Sequence, residues 1–148
     1  TRPCAWRQTQ YDYLYLFGAA CPQTGQKVGL LSPYINTDAV NVFFKEFEKE
    51  CNPDVHVVMI WDRAGFHTSD KVRLPKNVTL VSLPPYSPQL NPVVKLWQDL
   101  RQHYWSNRVY EDDDELRAAA SQAWQKVCLD SKKVKSICRA KYVESALI

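Results

Sequence analysis

Asp62 is the residue whose position best fits a chemical role. It follows directly after Val55 to Trp61, a nearly continuous apolar run that predicts a strand buried on both faces, as in parallel sheets covered by helices. A carboxylate at the end of such a strand projects into the crevice beyond the carboxyl edge of the sheet, where ligands bind. The alternative is an Asp that forms a turn or caps a helix, which a chain without other signals would favour.

The composition excludes several classes of protein. The 148 residues suit one domain, residues 1–148, and with 45% hydrophobic and 12% aromatic residues the chain is not intrinsically disordered. No apolar run approaches the roughly 18 residues that span a bilayer, and no secretory leader opens the chain. The net charge of +3 is too small to indicate a nucleic-acid-binding protein by itself. Because the sequence begins at Thr1, we expect a trimmed start or a piece of a longer protein.

Cysteine usage favours the reducing cytoplasm. The five cysteines include no Cys-x-x-Cys pair, and with three scattered histidines they give no zinc-binding spacing. We therefore expect mostly buried or inert thiols.

Two further strands and a helix are predicted before the strand that ends at Asp62. Residues 13–20 and 27–34 read as a hairpin around a turn that contains Pro22 and Gly25. Asn36 or Thr37 can cap the next helix. Its apolar stripe is predicted to consist of Ala39, Val40, Phe43, Phe44 and Phe47.

A strand and three helices follow Asp62. Residues 78–83 predict a strand, and a Pro-rich loop leads to Asn91-Pro92, a strong start signal for a helix that runs to about Trp105. Residues 111–129 predict the next helix, with an apolar face of Leu116, Ala119, Ala120, Ala123, Trp124 and Val127. Ser131 can cap a short basic helix. The order of elements indicates a mixed α/β layered domain.

The motifs around Asp62 resemble those of one enzyme family. The segments Trp61-Asp62-Arg63-Ala64-Gly65-Phe66-His67, Leu83-Pro84-Pro85-Tyr86-Ser87-Pro88-Gln89-Leu90-Asn91-Pro92 and Lys95-Leu96-Trp97 together resemble the catalytic domain of mariner-like DDE transposases, in particular the bacterial insertion-sequence branch. The hairpin resembles the second and third strands of that family, so the resemblance covers almost the whole chain.

The resemblance implies an RNase H-like fold and metal-dependent DNA cleavage and joining. In that family three carboxylates hold two Mg²⁺ or Mn²⁺ ions, which activate water or a DNA 3′-hydroxyl. Hard cations need several anionic oxygens, so one acid is not enough. The resemblance also implies double-stranded DNA at transposon ends and targets as partner, a possible homodimer and a cytoplasmic location with the nucleoid.

Two of the three acids are absent from their expected positions. Asp62 matches the second acid and is the one expected metal ligand. The first should precede Thr1, since residues 1–11 hold no acid and Asp12 begins the wrong strand, so we expect the fold to lack its first strand. The third is replaced by Val94. Val93, Trp97, Leu100 and Tyr104 define the core face of that helix, and Val94 lies about 100° away, on a side shared with Gln98 and Arg101.

Several further residues have two readings. His67 could contact the scissile phosphate or orient Asp62, or it could equally cap the following helix. Six basic residues border the expected crevice and as a group could follow a DNA backbone, although each alone reads as a solvated charge: Arg63, Lys71, Arg73, Lys76, Lys95 and Arg101. Tyr86 could stack on a base, but packing beneath its loop is the favoured reading.

His56 reads as a satisfied core or edge histidine, and His103 as a surface residue. The basic stretch 126–141 reads equally as a phosphate-binding or a solvated surface.

Three hypotheses follow for the function. The first is a degenerate or split DDE transposase domain that is inactive alone and whose missing acid could come from an upstream half. The second is a non-catalytic DNA-binding or interaction module derived from a transposase. The third is a product that never folds stably, because a missing central strand exposes the edge of the hairpin.

Overall fold

The computed structural model describes residues 14–61, 70–87, 90–105, 113–128 and 130–139. The elements are β1 Tyr15–Ala20, β2 Lys27–Ser32, α1 Thr37–Glu50, β3 Val57–Trp61, β4 Val78–Ser82, α2 Val93–Leu100, α3 Asp113–Cys128 and α4 Ser131–Ile137, with a π-helical turn Arg101–Trp105 continuing α2. This order confirms the predicted mixed α/β class. No helix in these ranges is long and apolar enough to cross a membrane.

β1 and β2 form the predicted antiparallel hairpin, with Tyr15 opposite Ser32 and Ala20 opposite Lys27. Side chains alternate between the two faces of a strand, so each face has its own partners. One face packs against α1 through Phe17, Ala19, Val28 and Leu30. The other face contributes Leu16 and Ala20 to a second apolar cluster, which contains α2, α3 and α4. The hairpin is therefore covered by helices on both faces.

β3 and β4 pair in parallel, from Val57 opposite Val78 to Trp61 opposite Ser82, and form a sheet separate from the hairpin. The prediction that β3 is buried on both faces is wrong. Val57, Met59 and Trp61 pack beneath α1, but Val58 on the opposite face is 61% exposed. Ile60, on the same face as Val58, is half-buried, so this face is covered only in part.

α1 links the two sheets through its aromatic stripe. Its five predicted stripe residues are all buried, and the Asn36 side chain caps the helix by accepting from the Ala39 N–H at 2.9 Å. The ring of Phe43 lies 6.3 Å from that of Phe17 in β1, and the ring of Phe44 lies 6.1 Å from that of Trp61 in β3. Burial of this one stripe therefore stabilises both sheets.

α2 is anchored by two leucines. The predicted core face included Leu100 but not Leu96. Leu96 and Leu100 are fully buried, with Val93 and Trp97 packed against them. The helix begins at Val93, where the Asn91 side chain accepts from the Val93 N–H at 3.2 Å, and the π-helical turn carries it to Trp105 as expected. The side chain of Tyr104 lies outside the described residues.

α3 and α4 complete the second cluster. In α3, Ala120 and Ala123 are buried, in agreement with its predicted apolar face, and the side chain of Val127 lies outside the described residues. In α4, Val134 is buried. The predicted cap of α4 is wrong. Asp130, not Ser131, caps it, because the Asp130 carboxylate accepts from the Lys132 N–H at 3.0 Å.

Candidate functional site

The carboxyl edge of the β3–β4 sheet is fixed by one hydrogen bond beyond the strands. The Leu83 N–H donates to the carbonyl oxygen of Trp61 at 2.9 Å, and the Leu83 side chain is buried. Asp62 follows Trp61 in the chain, so the backbone reaches Asp62 from this edge. Asp62, Arg63 and His67 themselves lie outside the described residues.

The connection from β4 to α2 begins at the same edge. Its last part is ordered by the Leu90 N–H, which donates to the Ser87 carbonyl at 3.1 Å. The expectation that Tyr86 packs beneath this loop is wrong, since its side chain is 99% exposed and its backbone has a φ of 57°. Within the described part of the chain, no residue covers the ring.

Val94 occupies the second position of α2, directly after this connection. Its N–H donates to the carbonyl of Asn91 at 3.1 Å, and its side chain is half-buried. Gln98 and Arg101 are exposed, which agrees with the polar flank predicted around Val94. The first turn of α2 holds no acidic residue. An isopropyl group therefore stands at the position where the resemblance places a carboxylate.

The described residues do not fit a pair of divalent cations. Within the described ranges, no three His, Cys, Asp or Glu side chains are grouped so that they could hold a metal ion. The Asn91 side-chain oxygen already accepts from the helix it caps. Asp62 lies outside these ranges, so its own part in cation binding stays a prediction.

Asp99, the acid nearest to Val94 on α2, is committed to other partners. Its Oδ1 lies 3.2 Å from Nδ1 of His103, and its Oδ2 lies 4.0 Å from Nζ of Lys133 in α4. Oδ2 is buried and accepts no hydrogen bond among the described residues. The carboxylate therefore ties α2 to α4. His103 is exposed, as expected, but it is engaged by Asp99.

Lys71 and Arg73 are held beside α1 by the side-chain amide of Asn41. The amide donates to the Lys71 carbonyl at 3.0 Å and accepts from the Arg73 N–H at 2.7 Å. Both basic side chains belong to exposed residues. This clasp fixes the backbone at Lys71 and Arg73, so the two positive charges are attached to a defined position beside α1.

Lys95 on α2 and Arg101, the first residue of the π-helical turn, have different surroundings. The ammonium of Lys95 donates to the Arg139 carbonyl at 2.8 Å, at the C-terminal end of α4, where a cation is stabilised by the helix dipole. Arg101 lines an open cavity of about 410 Å³ together with apolar residues of β1, β2, α2 and α3. The structure thus attaches Lys71 and Arg73 to α1, and Lys95 and Arg101 to the α2 side of the hairpin.

His56 is predicted to be a histidine whose hydrogen-bonding groups are satisfied, and the structure describes its partner. It precedes β3, and its Nε2 lies 2.7 Å from Oγ1 of Thr79 in β4. This contact confirms the reading of a satisfied edge histidine.

Sequence reasoning missed the role of Asn41. The sequence shows only a polar residue directly after Val40, beside the apolar stripe of the helix. An amide at such a position has many possible partners, so the sequence does not identify the one it binds. Its bonds to residues 71 and 73 depend on how the chain returns after β3, which local patterns do not specify.

Comparison with known proteins agrees with this fold. The model of the family described as DDE superfamily endonuclease matches residues 2–117. The chain is also similar to the uncharacterized protein y4pE/y4sA of Sinorhizobium fredii (strain NBRC 101917 / NGR234), with 39% identity over 125 residues, which are 84% of this chain and 93% of that protein. No solved structure matches the chain. The chain belongs to the DDE superfamily endonuclease family.

Proposed function

We propose that this chain is the C-terminal part of the catalytic domain of a mariner-like DDE transposase of the bacterial insertion-sequence branch. In this proposal it binds double-stranded DNA, in the cytoplasm with the nucleoid, and does not cleave DNA alone. Asp62 supplies the second of the three acids, and Val94 occupies the position of the third. A first acid, on a strand from an upstream half of the transposase, would be needed for cleavage.

The course of the chain around one sheet edge carries this proposal. Two parallel strands end at the same edge, and the Leu83-to-Trp61 hydrogen bond holds their exits together. Asp62 follows one exit, and the connection to the start of α2, with Val94, follows the other. Residues at the carboxyl ends of neighbouring parallel strands share one crevice, which is where the reactive groups of α/β enzymes lie.

The separation of the two sheets supports an RNase H-like fold that lacks a strand. Among the described residues, β1 and β3 each pair along a single edge, and α1 covers both strands with adjacent phenylalanines. A strand placed between β1 and β3 would pair with both and make one sheet of five strands. Its inward side chains would pack beneath α1, and its end would bring the first acid towards Asp62.

The side chains of Val94 and Asn91 support the proposal that this chain does not cleave DNA alone. Val94 offers no oxygen, and the side-chain oxygen of Asn91 is neutral and already accepts the Val93 N–H. A single carboxylate at Asp62 would leave a pair of divalent cations without the anionic ligands that they require. The same observations favour the second candidate function, a non-catalytic DNA-binding or interaction module. The two candidates differ in whether an upstream strand and a glutamate at position 94 restore cleavage.

DNA binding by the purified chain tests the proposal. Fluorescence anisotropy with a labelled blunt duplex should show binding that weakens steeply as the salt concentration rises, because Lys and Arg contacts release condensed counterions. Binding should be the same in EDTA and in Mg²⁺, since phosphate contacts by basic side chains need no metal. A cooperative thermal melt on the same sample confirms that folded protein was measured.

The control removes the same number of positive charges from another exposed surface. The double variant Lys71→Gln/Arg73→Gln should bind more weakly than Lys45→Gln/Lys49→Gln, which removes two positive charges from the exposed side of α1. Absence of duplex binding by the folded wild-type chain at low salt would contradict the proposed function. Equal losses in the two double variants would contradict the place given to Lys71 and Arg73.

A further inference from the structure

Tyr86 combines full exposure with an unfavourable backbone conformation. Its side chain is 99% exposed, and its φ of 57° lies in the left-handed region. It is the one non-glycine residue with positive φ among those that the structure describes. The backbone conformation costs free energy, because the β-carbon crowds the backbone in this region, and the exposed ring contributes no burial that would offset the cost. Strained residues of this kind cluster where proteins bind ligands.

The loop around Tyr86 is held in place on both sides. Pro84 and Pro85 fix their own φ angles and so restrict the chain before the ring. The Ser87 hydroxyl donates to the Pro85 carbonyl at 3.3 Å, and the Leu83 and Leu90 N–H groups anchor the two ends. The ring is therefore presented by a constrained backbone.

The loop also lies at the edge that carries the proposed site. It starts where Leu83 is bonded to Trp61, the residue before Asp62, and ends where Asn91 caps the helix of Val94. Residues 83–92 include no acidic side chain, and Lys95 follows on the helix. A polyanion approaching this edge therefore meets no negative charge from the loop itself.

We propose that the ring of Tyr86 stacks on an unpaired nucleobase of the DNA that is bound at this edge. An exposed aromatic ring offers a flat face to any base, while its hydroxyl stays hydrated, so the contact is tolerant of sequence. A constrained loop limits the entropy that is lost when the ring is immobilised on binding. Stacking requires a base outside the duplex, so the contact selects an overhang, a nick or a displaced strand over intact duplex. This inference rests on the proposed function, since it adds a contact to the DNA that the site binds.

The test compares two DNA probes with four proteins. The probes are a blunt duplex and the same duplex with an unpaired overhang that carries a fluorescent purine analogue. The proteins are the wild type, Tyr86→Ala, Tyr86→Phe and, as a matched exposed tyrosine with ordinary backbone, Tyr34→Ala. The wild type should bind the overhang probe more tightly than the blunt duplex and should quench the analogue on stacking.

Tyr86→Ala should lose about tenfold in affinity for the overhang probe, with the quenching, and change little on the blunt duplex. Tyr86→Phe should keep both signals, because the stacking face is retained. Tyr34→Ala should behave as the wild type. Thermal melts should show that Tyr86→Ala is no less stable, since the substitution removes no described packing.

Each failure has its own meaning. If the wild type binds neither probe, the proposed function fails. If the wild type binds both probes and Tyr86→Ala binds the overhang equally well, the stacking contact fails and the proposed function stands. A Tyr86→Ala variant that changes only the sedimentation of the protein, and not its binding of DNA, would assign the ring to a protein contact and overturn the inference.

Discussion

The indole rings of Trp97 and Trp124 lie with their centroids 5.6 Å apart, over a pair of glycines that face each other across the hairpin. Gly18 of β1 is opposite Gly29 of β2, and a β-carbon on either residue would press into these rings. The two glycines thus form a trough without side chains that receives α2 and α3. Because Trp97 lies one turn after Val94, this contact also sets which side of α2 Val94 presents.

Filling the trough should destabilise the protein. A β-carbon at Gly18 would lie 2.5 Å from Cη2 of Trp97, and one at Gly29 would lie 2.6 Å from Cε2 of Trp124. We expect Gly18→Ala to lower the free energy of unfolding by about 1–3 kcal/mol, as overpacking does. Urea denaturation measures the change. Trp97→Phe removes the ring that Gly18→Ala strikes, so the double variant should lose less than the sum of the single losses, and strict additivity would argue against the contact.

Releasing the segment after β3 should weaken DNA binding without removing any charge. Asn41→Ala deletes the amide that bonds to the backbone of Lys71 and Arg73, while both basic side chains remain. We expect weaker duplex binding, because a mobile segment must be ordered when it meets phosphate. Anisotropy titrations decide, and unchanged affinity in Asn41→Ala would show that the clasp is purely structural.

Restoring a carboxylate at position 94 should create affinity for a divalent cation. Val94→Glu adds an anionic oxygen on the polar flank of α2, and we expect Mn²⁺ to bind on the order of tenfold more tightly, because affinity in such sites follows the number of charged ligands. Paramagnetic resonance of free Mn²⁺ measures binding without any cleavage assay. Val94→Gln has the same length and no charge, so equal affinity in the Glu and Gln variants would contradict the position given to Val94. Asp62→Asn should cancel the gain.

The thiol of Cys51 should make stability depend on alkaline pH. Burial, and secondarily the negative charge of Glu50, raise the pKa of Cys51 above its ordinary value of 9.0. Above about pH 9 the unfolded chain releases this proton while the folded chain retains it, so the free energy of unfolding should fall as the pH rises. Below that pH the contribution is fully present. Urea denaturation between about pH 8 and about pH 10 measures how far the free energy of unfolding falls. The decrease should be smaller in Cys51→Ala. An equal slope in both proteins would contradict the assignment.

The same shift predicts slow reaction of Cys51 with thiol reagents. The thiolate is the nucleophile, so a raised pKa lowers the reactive fraction near neutral pH. Glu50→Gln removes one cause of the shift and should speed alkylation modestly. This expectation agrees with the inert thiols predicted from composition.

The elements could be predicted from sequence wherever one local pattern determined them. The stripe from Ala39 to Phe47 specifies α1, and the Asn91-Pro92 signal starts α2 within two residues of its observed beginning. The burial of β3 could not be predicted, because the apolar run of β3 is the same whether one face or two are covered. Whether Val58 is buried depends on which helices reach that face, and this is a property of the tertiary arrangement.

The features of the candidate site could be predicted only where the residue type and its position in the sequence determine them. The polar flank of Val94 follows from helix periodicity, and exposed Gln98 and Arg101 agree with it. The exposure of Tyr86 depends on a backbone angle in a loop rich in proline, which residue types do not encode. Asp99 and His103 lie four residues apart on the predicted helix, so their contact follows from helical spacing, whereas the approach of Lys133 depends on how α4 packs against α2.

Plasmid nicking tests the central claim most directly. If the proposed function is right, the purified, folded wild-type chain should bind supercoiled DNA yet leave it intact in Mg²⁺ or Mn²⁺, because in that proposal Asp62 and Val94 together supply too few carboxylates for the cations that cleavage requires. Nicking by the wild type that disappears in Asp62→Ala would contradict the claim, since it would show a complete active site in this chain.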